Sequence, residues 1–176
     1  MMEADRMKYF IVTVDSNYVP PVPVGWYEKI DRKTLRGKKP YQMQKHLLFY
    51  IEKHMQTVFT DVLPFPCFMV SKTVRNVIES YDPIVRFARV VLYDQERKKS
   101  MSYYIPFLDR IEPEEKNMAL GKNGGAVVLA REKLKEHVIM ETEKDGKIRV
   151  IMRMDLLESI LRRGAVGIGI EGVHIV

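Results

Sequence analysis

The sequence predicts a single α+β domain with a mixed or mostly antiparallel sheet and a few short helices, and three observations lead there. The first is a unit of apolar strand, capped helix and second apolar strand that occurs twice. In its first copy residues 67–70 run into Ser71, then Val74, Val77, Ile78 and Tyr81, then an apolar strand at 85–93. In its second copy residues 148–152 lead to Asp155, then Leu157, Ile160 and Leu161, then a Gly-rich strand at 166–176. Each helical stretch carries one apolar stripe at 3.6-residue spacing, the pattern of a helix that buries one face on a sheet. The second observation is a pair of hairpin signals, one inside each half of the chain. The third is size: 176 residues with 46% hydrophobic content form a core that needs neither a metal nor a disulfide. The two copies begin about 80 residues apart, beyond the 20–50-residue period of a solenoid, so they read as related modules of one fold.

The elements follow in order. Residues 8–14 are rich in β-branched and aromatic side chains and stop at the turn signal Asp15-Ser16-Asn17, which predicts a first strand. Pro20, Pro21 and Pro23 make residues 19–24 an extended connector. Residues 41–59 fit a helix through Met43, Leu47, Ile51, Met55 and Val58, and fit a strand through 47–51; periodicity leaves both open. Pro64 and Pro66 then break the chain. Ser71 is placed to cap the first helix, and Asp82-Pro83 ends it. Residues 85–93 and 102–108 are joined by a short polar run, which predicts an antiparallel hairpin. The charged, Gly-rich stretch 112–125 reads as a connecting loop between a first part, 7–111, and a second part, 126–176. Asp145-Gly146 between apolar runs predicts a second hairpin. Asp155 is the expected N-cap of the last helix, with Glu158 three residues on as in a capping box, and Arg162, Arg163 and Gly164 suit its C-terminal end.

Charge and composition bound the function. The net charge of +6 comes from 29 basic and 23 acidic residues. Basic residues concentrate between 29 and 39 at Lys29, Arg32, Lys33, Arg36, Lys38 and Lys39, with Asp31 as the single acid among them. Trp26 and Tyr27 precede this segment, and Trp, Tyr and Arg are the residue types that anchor macromolecular interfaces. Trp26, Tyr27, Lys29, Arg32, Lys33 and Arg36 are therefore the candidate partner-binding residues. The lone Cys67 sits in an apolar run and reads as a small buried hydrophobe of a reducing compartment. The first residues lack both a basic n-region and a long apolar h-region, and no apolar run approaches the ~18 residues of a spanning helix. The expectation is a cytoplasmic protein with no membrane partner; its oligomeric state stays open.

No motif nominates catalysis. Residues 167–172 match G-x-G-x-x-G by letter, but no helix follows to receive a pyrophosphate. His46, His54, His137 and His174 are scattered without zinc spacing. Ser71 lacks the glycines of a nucleophile elbow and reads as a cap, and Glu112, Glu114 and Glu115 sit on a charged loop. The expectation is a non-enzymatic protein with no cofactor, metal or catalytic residue.

Several short motifs occur in a telling order. Met7-Lys8-Tyr9-Phe10-Ile11 starts the chain, Phe68-Met69-Val70-Ser71 opens a helix, the Tyr103-Tyr104 strand ends in Asp109-Arg110-Ile111, and Val166-Gly167-Ile168 follows the last helix. This order resembles a family of bacterial immunity proteins of polymorphic toxin systems, built from an N-terminal strand and two strand-Ser-helix modules. The resemblance spans nearly all of residues 7–176. It departs at the second module, where Arg153-Met154-Asp155 stands in place of Val-Ser and moves the expected cap to Asp155. It implies a protein that neutralises a cognate toxin by binding it. The alternative, from charge alone, is a nucleic-acid binder using the basic 29–39 segment.

Overall fold

The computed structural model describes residues 7–31, 46–114 and 127–176. In chain order the elements are β1 (Tyr9–Val14), a 3-10 turn (Trp26–Glu28), β2 (His46–Tyr50), β3 (Val62–Leu63), β4 (Met69–Ser71), α1 (Lys72–Tyr81), β5 (Arg86–Asp94), β6 (Lys99–Phe107), β7 (Val128–Leu129), α2 (Arg131–Leu134), β8 (Ile139–Lys144), β9 (Lys147–Arg153), α3 (Met154–Arg162), β10 (Ile168–Gly172) and β11 (His174–Ile175). They form a single α+β domain with two main sheets, ordered β2-β5-β6-β4-β3 and β10-β1-β9-β8, and a small parallel pair of β7 and β11.

The two predicted modules share one topology. β4 and β5 are linked through α1 but do not touch: β6 lies between them, antiparallel to both. β9 and β10 are linked through α3, and β1 lies between them in the same way. Each helix therefore spans a split β-α-β crossover. A further antiparallel strand borders each unit, β3 beside β4 and β8 beside β9. The inserted strand differs in origin. β6 returns from β5 through a hairpin, whereas β1 comes from the start of the described chain.

Both hairpins form where turn chemistry placed them. β5 and β6 pair from Arg86 opposite Phe107 to Asp94 opposite Lys99, and the Asp94 carboxylate accepts the N–H groups of Glu96 and Arg97 in the turn. At the β8–β9 turn Asp145 has φ 53° and Gly146 φ 72°, the left-handed pair that a type I′ hairpin requires.

The helices lie between the sheets. Val74, Val77 and Ile78 of α1 and Leu156, Leu157 and Ile160 of α3 share a buried cluster with Val70 and Tyr104 of one sheet and Val12, Val150 and Met152 of the other. Tyr81 of α1 donates its hydroxyl proton toward the Asp155 carbonyl, and its oxygen lies 2.6 Å from the Ser159 hydroxyl of α3. The opposite face of each sheet has its own cluster, around Phe49, Met69 and Tyr103 in one and around Tyr9, Leu134 and Ile151 in the other.

One open reading is settled and two expectations change. Residues 46–50, inside the ambiguous stretch 41–59, form β2, an edge strand parallel to β5; residues 41–45 lie outside the described chain. The expected strand at 166–176 is two strands, because β11 leaves the sheet of β10 to pair with β7. Asp155 is not the N-cap of α3. The helix starts at Met154, and Arg153 holds the cap position without a side-chain bond to the helix. The reason is that β9 runs directly into the helix: Arg153 is still in register with Tyr9, and the Met154 N–H donates to the Lys8 carbonyl. A neighbouring strand thus satisfies a donor that a capping side chain would otherwise serve. Of the connecting loop at 112–125, residues 115–125 lie outside the described chain. Among the described residues no helix is long and apolar enough to cross a membrane.

Candidate functional site

Three of the predicted partner-binding residues lie in the described chain, and they sit together. Gly25, with φ 66°, turns the chain into the 3-10 turn, and Ile30, only 3% exposed, pins the far end of the segment to the sheet. Trp26 packs over the β2–β5–β6 face and meets Phe65 edge-on at 5.4 Å and Tyr27 edge-on at 6.1 Å. Tyr27 is 70% exposed, so a large ring stands in solvent on a supported base. Lys29 Nζ donates to the Leu48 carbonyl at 3.2 Å and lies 5.4 Å from the Phe49 ring centre. This ties the segment to β2. Arg32, Lys33 and Arg36 lie outside the described residues.

Sequence reasoning passed over Phe65. It stands between Pro64 and Pro66, is 43% exposed, and forms the base on which Trp26 rests. The flanking prolines were the available signal, since they hold a short loop in one shape.

Phe65 also begins one wall of a cleft of about 380 Å³ between the two sheets. The loop of Pro64, Pro66 and Phe68 faces Thr13, Ile148 and Val150 of the four-stranded sheet. At one end Arg110 is held by Glu141 through Nη2 at 2.6 Å and by Glu143 through Nη1 at 2.7 Å. All three side chains are largely buried, so their charges hold the sheet-to-loop junction together.

On the other side of β2 the sheet is open. Strand alternation places His46, Leu48 and Tyr50 on one face, in register with Arg89, Val91 and Tyr93 of β5. α1 covers this face over β4 and β6, where Arg75 lies 4.7 Å from the Tyr104 ring centre and 5.6 Å from that of Phe87. Beyond that cover Leu48 is 50% and Tyr50 48% exposed. The Tyr50 and Tyr93 rings meet at 6.0 Å.

The predicted capping residues have different roles. Ser71 accepts the Val74 N–H at 3.3 Å, as an N-cap does, and donates its own proton to the Asp61 carboxylate. The other oxygen of Asp61 accepts the Val166 N–H at 2.6 Å, so this acid links the start of α1 to the chain beyond α3. Asp155 takes two bonds from Arg153, at 2.7 and 2.8 Å. That pairing, assisted by backbone N–H groups, holds its carboxyl below the usual aspartate value. Burial pushes the Tyr103 phenol well above the usual tyrosine range, and its O–H donates to the Thr60 carbonyl at 2.8 Å. Among the described residues no group of three or more His, Cys, Asp or Glu is arranged to hold a metal ion.

No protein-family model matches the chain, and no curated protein is significantly similar to it.

Proposed function

We propose that this is a non-enzymatic binding protein that neutralises a cognate bacterial toxin by direct contact. The observation that carries the reading is the supported aromatic ledge at Trp26, Tyr27 and Phe65, whose Phe65 also lines the inter-sheet cleft. A ring already fixed by its neighbours loses little side-chain entropy on binding, which is the property of residues that dominate interface energy. The order of motifs that resembles toxin-immunity proteins supplies the class of partner.

The test is co-expression with the toxin encoded beside this gene. The expected result is rescue of growth, lost in the Trp26→Ala/Tyr27→Ala variant although that variant stays folded. No rescue by the wild-type chain removes the proposal. The nucleic-acid reading predicts instead an affinity for single-stranded oligonucleotides that falls steeply with salt.

A further inference from the structure

We infer that the open face of β2 and β5 is a second part of the partner-binding surface, and that it receives an acidic, apolar-centred patch of a protein. The inference rests on the toxin-binding reading and names chemistry that reading leaves unspecified.

An exposed sheet face normally alternates polar residues outward. β2 does the reverse, with Leu48 and Tyr50 facing solvent beside Val91 and Tyr93. The exposure is not a gap in the core, because the intervening residues Leu47, Phe49, Val90 and Leu92 are all buried on the other face. The register of β2 and β5 thus sets these four side chains next to one another on one face.

Charge selects the occupant. His46 lies opposite Arg89 at one end of the patch, and in the register of β2, β5 and β6 the patch continues through Ser100 and Ser102. No carboxylate occurs on that face of these three strands. Arg89 is oriented by two bonds to the Ser102 hydroxyl, at 2.9 and 3.3 Å, which leaves its charge uncompensated by this contact. An acidic partner surface meets a fixed cation there, and its apolar centre covers Leu48 and Tyr50. A nucleic acid fits less well: the Tyr50 and Tyr93 rings meet edge-on at 6.0 Å, and on that face of these three strands Arg89 is the one Lys or Arg, too few for a run of phosphate contacts.

The patch is continuous with the aromatic ledge. Lys29 bonds the carbonyl of Leu48, and the Val24 N–H donates to the carbonyl of Tyr50, so the segment carrying Trp26 and Tyr27 wraps the edge of the strand that presents Leu48 and Tyr50. One partner can therefore touch both sides of β2.

The experiment measures binding of the purified toxin encoded beside the gene to wild type, Leu48→Ser/Tyr50→Ser, Arg89→Glu and the control Ile170→Ser. Ile170 is equally exposed, at 45%, but lies on β10 in the other sheet. Thermal melts verify that each variant is folded. The expected result is a loss of about 30-fold or more for the double variant and about 10-fold for Arg89→Glu, with Ile170→Ser unchanged. Wild-type binding that all the folded variants retain overturns this inference and leaves the toxin-binding reading standing. No binding by wild type removes both. Oligonucleotide binding that depends on Tyr50 and Arg89 and collapses with salt identifies a nucleic-acid surface and also overturns it.

Discussion

Replacing Gly167 with alanine tests the junction between the two modules. Gly167 has φ 74°, and a Cβ built there falls 2.3 Å from the Thr60 methyl and 2.7 Å from its Cβ. Two costs arise. A left-handed backbone costs a non-glycine residue about 1 kcal/mol, and overlap in a packed site adds about 2 kcal/mol. Thr60 cannot easily turn away: it is fully buried, and its hydroxyl donates to the Val62 carbonyl at 2.8 Å. Gly164 supplies the control, because its φ is 77° but nothing lies within 4 Å of a built Cβ. In urea unfolding Gly167→Ala should lose about 3 kcal/mol and Gly164→Ala about 1 kcal/mol. In thermal melts the former corresponds to a fall of about 6–12 °C for a chain of this size. Thr60→Ser in the Gly167→Ala background removes the closer contact but not the second, and should recover part of the loss. Equal losses for the two glycine variants would refute the close approach between Thr60 and Gly167.

Further predictions concern caps, buried groups and pH. Ser71→Ala should lower stability by about 1–2 kcal/mol in urea unfolding, because the hydroxyl both caps α1 and holds Asp61, whereas Asp155→Ala should cost under about 1 kcal/mol because it removes a partly exposed pair and no cap. The depressed Asp155 pKa means that its contribution is complete above the unfolded value near pH 4 and fades as pH falls through the folded value; the Asp155→Asn difference from wild type should therefore shrink in acid. Tyr103→Phe should cost about 1–2 kcal/mol at neutral pH through the unpaired Thr60 carbonyl. The raised Tyr103 pKa gives the opposite pH sense: above about pH 10 the unfolded chain loses this proton while the folded chain keeps it, so stability falls as pH rises, and Tyr103→Phe should lessen that fall. Arg110→Ala, which leaves Glu141 and Glu143 side by side, should cost about 2–3 kcal/mol in the same unfolding assay.

Local patterns make much of this fold legible in the amino-acid sequence. The stripe Val74, Val77 and Ile78, the Ser71 cap and the Asp145-Gly146 turn are decided by neighbours within a few residues, and each appears where the sequence places it. The start of α3 is not legible there, because its first donor is satisfied by the Lys8 carbonyl of a strand far away in sequence. β2 resists reading for a related reason. Leu47 and Phe49 face the core, but Leu48 and Tyr50 are apolar as well, so the alternation that marks a half-buried strand is missing. The same anomaly marks the open sheet face. Of the candidate site, composition points to Trp26 and Tyr27, while Phe65 and the β2–β5 patch depend on contacts between segments that only folding brings together.

Toxin binding is tested most directly by a calorimetric titration of the full chain with the proposed partner, the purified product of any toxin gene found beside its own, repeated at several temperatures. The expected result is saturable, stoichiometric binding with a negative heat-capacity change, as burial of the Tyr27, Leu48 and Tyr50 surfaces requires. A titration with no complex at micromolar concentrations of both proteins would contradict it.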